Sequence, residues 1–274
     1  MASDTTHTPP TDVSQYTLML RIARNELLCV YYHPAIDGSL VSERIVLNSG
    51  NDLVHEVEQA VYKQEILLQP FKRIYAILPS PHHLTVPNEV ATYSDNSIFF
   101  TTLYPDSKEH IVECRMPHTG ALMLSGCDSR LAAFLQRTFD RPTLLHPLTP
   151  LCEYFYRKSR LGNQCKMYLH LYRGMMDVVC FGRNGLLLAN SYPYRHPNDA
   201  AYHVLNIWKH LGLDQRKDEI HMAGDIEVRK ELSTLLRNYI FTIVPVIFPS
   251  HCHVLGGDAM NLSFDLTALS LCEL

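Results

Sequence analysis

The chain has 274 residues, 46% of them hydrophobic and 19% charged, with a formal net charge of −4. That composition builds a buried core and excludes a disordered chain, and 12 glycines without a period exclude a collagen-like one. Acidic residues outnumber basic ones 28 to 24, so there is no basic footprint for nucleic acid, and no apolar run approaches the roughly 20 residues of a membrane span. Residues 1–15 read as a disordered polar tail with neither the basic nor the apolar region of an export signal. The eight cysteines form no C-x-x-C pair. Without an export signal they read as reduced thiols, and the expected compartment is the cytoplasm.

The elements follow a pattern that occurs twice. Thr17–Arg24 alternates Leu18, Leu20 and Ile22 and reads as a strand. Arg24-Asn25-Glu26 turns the chain into a second strand, Leu27–His33. Asp37-Gly38 marks the next turn, before a third strand at Leu40–Leu47. Asp52 is placed to cap a helix with the apolar stripe Leu53, Val57, Ala60, Val61 and Leu68. Arg73–Leu78 is continuously apolar after its first residue, as a buried parallel strand should be.

The middle of the chain reads as strands at Ser97–Tyr104, His110–Met116 and Gly120–Ser125, a helix capped by Asp128, a short strand at Thr143–His146 and a helix opened by Thr149-Pro150. The second copy then begins. Strands are expected at Lys166–Tyr172, Met175–Phe181 and Leu186–Tyr192, with turns at Arg173-Gly174 and Gly182–Gly185. A helix runs from Pro197 to a stop at Gly212, burying Val204 and Trp208. A strand at Glu219–Met222, a helix from about Glu227, a strand at Ile240–Val244 and a helix over Met260–Leu271 complete the chain. The order β-β-β-α-β thus appears at about 17–78 and again at about 166–223. This gives an expected division into a first subdomain, 16–160, and a second, 161–274.

That order, with the segments Tyr16–Ala23, Leu27–Tyr32, Pro70–Pro79, Val86-Pro87-Asn88-Glu89 and Glu219–Asp225, resembles the actin-like ATPases, the superfamily of sugar kinases and actin. More narrowly, the chain is similar to a bacterial family of unknown function with that fold. The resemblance implies an α/β chain with a duplicated ribonuclease-H-like (actin-like ATPase) fold: two mixed five-stranded sheets flanked by helices. It also implies ATP and Mg²⁺ between the halves, and there the sequence departs from the superfamily. The first phosphate turn requires an Asp and a Gly, and Ile22-Ala23-Arg24-Asn25-Glu26 has neither. The second requires an Asp followed by glycines, and Leu171-Tyr172-Arg173-Gly174-Met175 has one Gly and an Arg where an acid is wanted. A ribonuclease-H nuclease would need an acid in the first strand, and residues 17–24 contain none.

Gly224-Asp225 stands where the resemblance places a glycine pair facing adenosine, and its plain reading is a turn and a helix cap. The candidate vestigial nucleotide cleft is therefore Gly224, Asp225, Gly174 and Arg173, with no catalytic residue, no metal ligand and no cofactor expected. The resulting expectation is a non-catalytic or degenerate actin-like protein, a pseudoenzyme that acts as a binding or scaffold module for a protein partner. The alternative is an ATP-binding enzyme with a rearranged site, using Asp177 or Asp37 as a displaced acid. Four further groups invite a function and have plainer readings. His251-Cys252-His253 presents only two ligands to one face, short of a zinc site, and His82-His83 sits in a Pro-rich loop. Ser125-Gly126-Cys127-Asp128 has the look of a nucleophile turn but not its G-x-S-x-G order. Tyr154, Phe155, Tyr156, Tyr192 and Tyr194 read as half-buried packing.

Overall fold

Alternation along the strands decides where everything sits. In β1 (Thr17–Ala23), Leu18, Leu20 and Ile22 turn to one face and Met19 and Arg21 to the other, and all five are buried. Both faces of this strand are therefore covered. The computed structural model describes residues 12–91, 95–249, 255–256, 259 and 262–272. β1 pairs antiparallel with β2 (Glu26–Tyr32), and β2 pairs antiparallel with β3 (Val41–Val46). After α1 (Leu53–Tyr62) and a single 3₁₀ turn at Glu65–Leu68, β4 (Arg73–Ile77) returns parallel to β1. The apolar stripe expected to run to Leu68 as one helix breaks at Lys63, which caps α1.

An insertion follows. β5 (His83–Pro87), β6 (His110–Met116) and β7 (Ala121–Cys127) form a three-stranded antiparallel sheet in the order β5-β7-β6. Two expectations are corrected here. His83, expected in a loop with His82, opens the strand β5, and Ser97–Leu103 is the helix α2 and not a strand. The β-favouring run Ile98-Phe99-Phe100-Thr101-Thr102 coils because one side chain, Phe100, is buried on the small sheet against Val86, Leu122 and Leu124. The hydroxyl of Thr101 turns back onto the Ser97 carbonyl, the local bond a threonine makes within a helix. α3 (Ser129–Thr138) is capped by Asp128, whose side chain accepts from the Arg130 amide. β8 (Thr143–Leu145) then joins β4 in parallel, completing the order β3-β2-β1-β4-β8.

α4 (Leu148–Ser159) leads into the second copy. β9 (Lys166–Tyr172), β10 (Met175–Gly182) and β11 (Gly185–Pro193) form the meander, and α5 (Pro197–His210) crosses to β12 (Glu219–Gly224), parallel to β9. α6 (Ile226–Leu236) and β13 (Thr242–Pro245) complete the order β11-β10-β9-β12-β13. The two five-stranded sheets have the same mixed topology. α7 spans Phe264–Leu271 with Ser263 at its N-cap, so it begins later than the expected Met260. Gly257 and Asp258, which precede it, lie outside the described residues, as do His251, Cys252 and His253.

The outer faces of the two sheets pack on α1 with α3 and on α5 with α6, around Leu18, Leu20 and Val57 in one half and Met167, Leu169 and Trp208 in the other. The inner faces meet through α4 and α7. Leu266 and Leu269 of α7 join Met19, Val30 and Ile77 of the first sheet, and Phe264 and Ala268 join Tyr168 and Phe181 of the second. The odd-numbered residues of β1 and the even-numbered residues of β9 point into this middle layer, so any polar side chain among them is carried into the junction between the halves.

Candidate functional site

Each half carries one polar residue at the fifth rung of its central parallel ladder. In the first it is Arg21, opposite Ile77, and in the second it is His170, opposite Ala223. Both are buried and both point into the middle layer. Arg21 Nε donates to Asp265 Oδ2 of α7 at 2.7 Å, and its guanidinium lies 4.1 Å from the centre of the Tyr172 ring. Burial pushes the Asp265 carboxyl up, and the Arg21 charge and hydrogen bond, together with smaller contributions from its other neighbours, outweigh this and leave it below the ordinary value. His170 Nδ1 donates to Asp177 Oδ2 at 3.0 Å, and Ser191 Oγ donates to Asp177 Oδ1 at 2.6 Å. Asp177 follows the same pattern: burial raises it, and these donors bring it below its usual range.

The two hairpin turns clasp each other beside this layer. Glu26, at the start of β2, accepts the Tyr172 hydroxyl at 2.6 Å and pairs with Arg173 at 2.8 Å. Arg173 and Gly174 occupy the two central positions of a β-hairpin turn with φ of +48° and +77°. An arginine in that left-handed region costs about 1 kcal/mol, and its bond to Glu26 offsets the strain. The halves are thus joined turn to turn, by Glu26 from one and Tyr172 with Arg173 from the other.

A cavity of about 410 Å³ opens next to the clasp, with Arg24, Ser80, His146, Asp177 and Ser191 among its walls. His146 Nδ1 accepts the Leu148 amide and Nε2 donates to the Ser80 carbonyl, which fixes a neutral imidazole. Burial and the neighbouring His83 push its pKa down to about 3. His83 stacks on it, 4.2 Å between ring centres, donates to the same carbonyl, and is also held below its ordinary value by burial.

Of the residues singled out from the sequence for a nucleotide site, Arg173 and Asp177 line this cavity, while Gly174, Gly224, Asp225 and Asp37 do not. Gly224 has φ +95°, and a Cβ there would stand 1.9 Å from the Leu171 carbonyl oxygen. That oxygen accepts the Asp225 amide at 2.8 Å, so the glycine lets β12 close onto β9. Asp225 caps α6, accepting the amides of Glu227 and Val228. Asp37 is exposed on the loop between β2 and β3. His82 and His83 part company: His82 pairs with Glu109 at the surface and His83 is buried. The Cys127 thiol is pushed up to about 11 by burial and by Glu109 and Asp128, which removes the thiolate a nucleophile needs. Phe155 is core, stacked between Tyr168 and Phe264. Among the described residues no group of three or more His, Cys, Asp or Glu is placed to hold a metal ion, and seven cysteines are free thiols.

The residues missed by sequence reasoning are Arg21, Glu26, His146, His170, Tyr172 and Asp265. Two of them carried a signal. Arg21 is the one charge in Thr-Leu-Met-Leu-Arg-Ile-Ala, and Asp265 the one charge in Phe-Asp-Leu-Thr-Ala-Leu-Ser-Leu.

The family described as "Protein of unknown function (DUF3822)" matches residues 6–243. The chain belongs to this family. No curated protein matches it. Among solved structures it is similar to a Bacteroides thetaiotaomicron protein described as having an actin-like ATPase fold and unknown function. The identity is 24%, the TM-score 0.81, and the match covers 97% of this chain and 100% of that one. It is also similar, at 12% identity and TM-score 0.58, to a chain of a PilM–PilN type IV pilus biogenesis complex, over 96% of this chain and 100% of that one. At these identities the likeness shows the fold, and the fold is that of the actin-like ATPases. No helix among the described residues of this DUF3822 protein is long and apolar enough to cross a membrane.

Proposed function

We propose that this protein is a non-catalytic actin-like module that works by holding a protein partner. One observation carries the reading. The place where the two phosphate turns of the fold would face each other across a nucleotide is spanned by the chain's own side chains: Arg21 on Asp265, and Glu26 held by Tyr172 and Arg173. A Mg²⁺–phosphate pair needs carboxylate oxygens free to take the ion or its waters. Among the described residues Asp177 is the one carboxylate on the cavity wall, and both its oxygens already accept hydrogen bonds. Gly224, the candidate for the adenosine edge, is spent on the approach of β12 to β9. The DUF3822 chain therefore keeps the scaffold of the fold and uses the junction to fix its halves together. That a chain of this fold occurs in a PilM–PilN complex supports partner binding as a use of the scaffold. The acidic balance argues against nucleic acid as the partner.

A thermal-shift titration with ATP and Mg²⁺ tests the reading. The melting temperature is expected to stay constant. A rise that grows with nucleotide concentration, as mass action requires of a ligand of the folded state, would overturn it in favour of an ATP-binding enzyme with a rearranged site.

A further inference from the structure

β13 is the outermost strand of the second sheet, and among the described residues no strand pairs with its outer edge. The Val246 amide donates to the Met222 carbonyl of β12. By the two-residue alternation of a parallel ladder, Thr242 and Val244 also turn their backbone groups inward, and Ile243 and Pro245 turn theirs outward. The outer edge thus offers the Ile243 amide and carbonyl and the Pro245 carbonyl, with one donor missing at the proline.

Two grooves flank this edge, one on each face of the sheet. On the α6 side a groove of about 210 Å³ runs beneath Arg229, Lys230, Ser233 and Arg237. Lys230 is paired with Glu227, whereas Arg229 and Arg237 form no ion pair among the described residues. On the α4 side a groove of about 310 Å³ is walled by Tyr154, Leu161, Tyr168, Val246 and Ile247, with Lys158 beside them. Phe241 and Ile247, just beyond the two ends of β13, are 83% and 84% exposed, the highest values among the large apolar side chains described. A chain of net charge −4 has thus gathered two arginines without an ion-pair partner among the described residues along one side of this strand edge, Arg229 also donating to the Met222 carbonyl. Along the other side runs a mainly apolar wall, where Lys166 and His221 are already paired with Glu219.

We propose that this edge takes an extended segment of a partner protein as an added strand, with carboxylates on its α6 face and apolar side chains on its α4 face. Successive side chains of a strand fall to opposite faces, so one strand laid along β13 sends alternate residues into the two grooves. Its backbone supplies binding through the free edge groups, and the alternation supplies selectivity. Arg229 and Arg237 favour acidic side chains by charge-assisted bonds, and the aromatic and aliphatic wall on the other face favours apolar ones. The proposal names the chemistry of the partner in the scaffold reading above and rests on that reading.

The test uses the whole chain and three fluorescein-labelled probe peptides: a Glu-Val repeat, a Lys-Val repeat, and a peptide with the same Glu and Val content in two blocks. Fluorescence anisotropy is expected to show binding of the Glu-Val repeat, with the other two weaker by about tenfold or more. Methylating the backbone nitrogens on one edge of the Glu-Val repeat should abolish binding from that edge. The double substitution Arg229→Glu and Arg237→Glu, on exposed or half-buried positions, should cost a similar factor while leaving the melting temperature within a few degrees. No binding, equal binding of the alternating and blocked peptides, or indifference to the double substitution would overturn the proposal. Sedimentation showing a dimer of this chain that the double substitution dissolves would assign the edge to a second copy and overturn it as well. The peptide result is independent of the ATP titration. If the peptides fail while ATP still causes no shift, the scaffold reading stands and its partner binds elsewhere.

Discussion

Replacing Asp265 with alanine should destabilise the protein by about 3–5 kcal/mol, the range for breaking one side of a buried ion pair. The reason lies in what is left behind. Arg21 is 5% exposed, its guanidinium meets Asp265 at 2.7 Å, and its other close contact is the face of Tyr172. Without the carboxylate, a buried cation keeps the ring and loses its counter-charge. Against a total stability of about 5–15 kcal/mol this is a large fraction. Urea titration followed by circular dichroism measures it, as a lowered midpoint with an unchanged slope. Replacing both partners, Arg21→Met with Asp265→Leu, should recover all but about 1–2 kcal/mol, because an apolar pair of similar volume leaves no charge behind. A cost under about 1 kcal/mol for Asp265→Ala, or a double variant as unstable as the single, would refute this.

Acid should weaken the fold in two windows. His146 and His83 have folded pKa values below 6.5, so their contribution is whole above about pH 6.5 and falls as pH drops towards the folded values. At about pH 5 the His146 share of the loss is about 2 kcal/mol, and comparing urea midpoints of wild type and His146→Asn at pH 7 and 5 isolates it. Asp177 and Asp265, held low, add a second loss below about pH 4 as they protonate. Gly224→Ala should cost about 3 kcal/mol or more, since φ is +95° and the new Cβ meets a backbone carbonyl. Gly212→Ala, with a left-handed φ and open space around it, should cost only about 1 kcal/mol, both variants being read by the same urea titration. Phe100→Ala should remove about 3–5 kcal/mol of packing from the small sheet, read as faster amide exchange in β5 and β7 than in β9 or β10.

The duplicated order was legible because its signals are local. Alternation in residues 17–32 and 166–181, the turns at Arg24-Asn25 and Arg173-Gly174, and the continuous apolar run after Arg73 each specify an element without help from the rest of the chain. Within the inserted sheet β6 and β7 were legible, whereas the five-residue β5 was not, and the helix beside it is fixed by one tertiary contact, Phe100 on Val86 and Leu122. The missing acids and glycines of the phosphate turns were visible in sequence. What replaced them was not, since Arg21 meets a residue 244 positions later and Glu26 meets Tyr172, 146 positions away. Gly224 illustrates the opposite error. A glycine at a strand end suits a nucleotide edge and a tight strand pairing equally, and only the position of the Leu171 carbonyl decides between them.

If the junction of the two halves is held by the chain's own side chains, it admits no nucleotide. Determining the structure of crystals soaked in ATP and Mg²⁺ tests this most directly. The expected result is Arg21 still on Asp265, Glu26 still held by Tyr172 and Arg173, and no nucleotide between the hairpin turns. Nucleotide seated there, with those contacts broken and carboxylate oxygens on a metal ion, would contradict it.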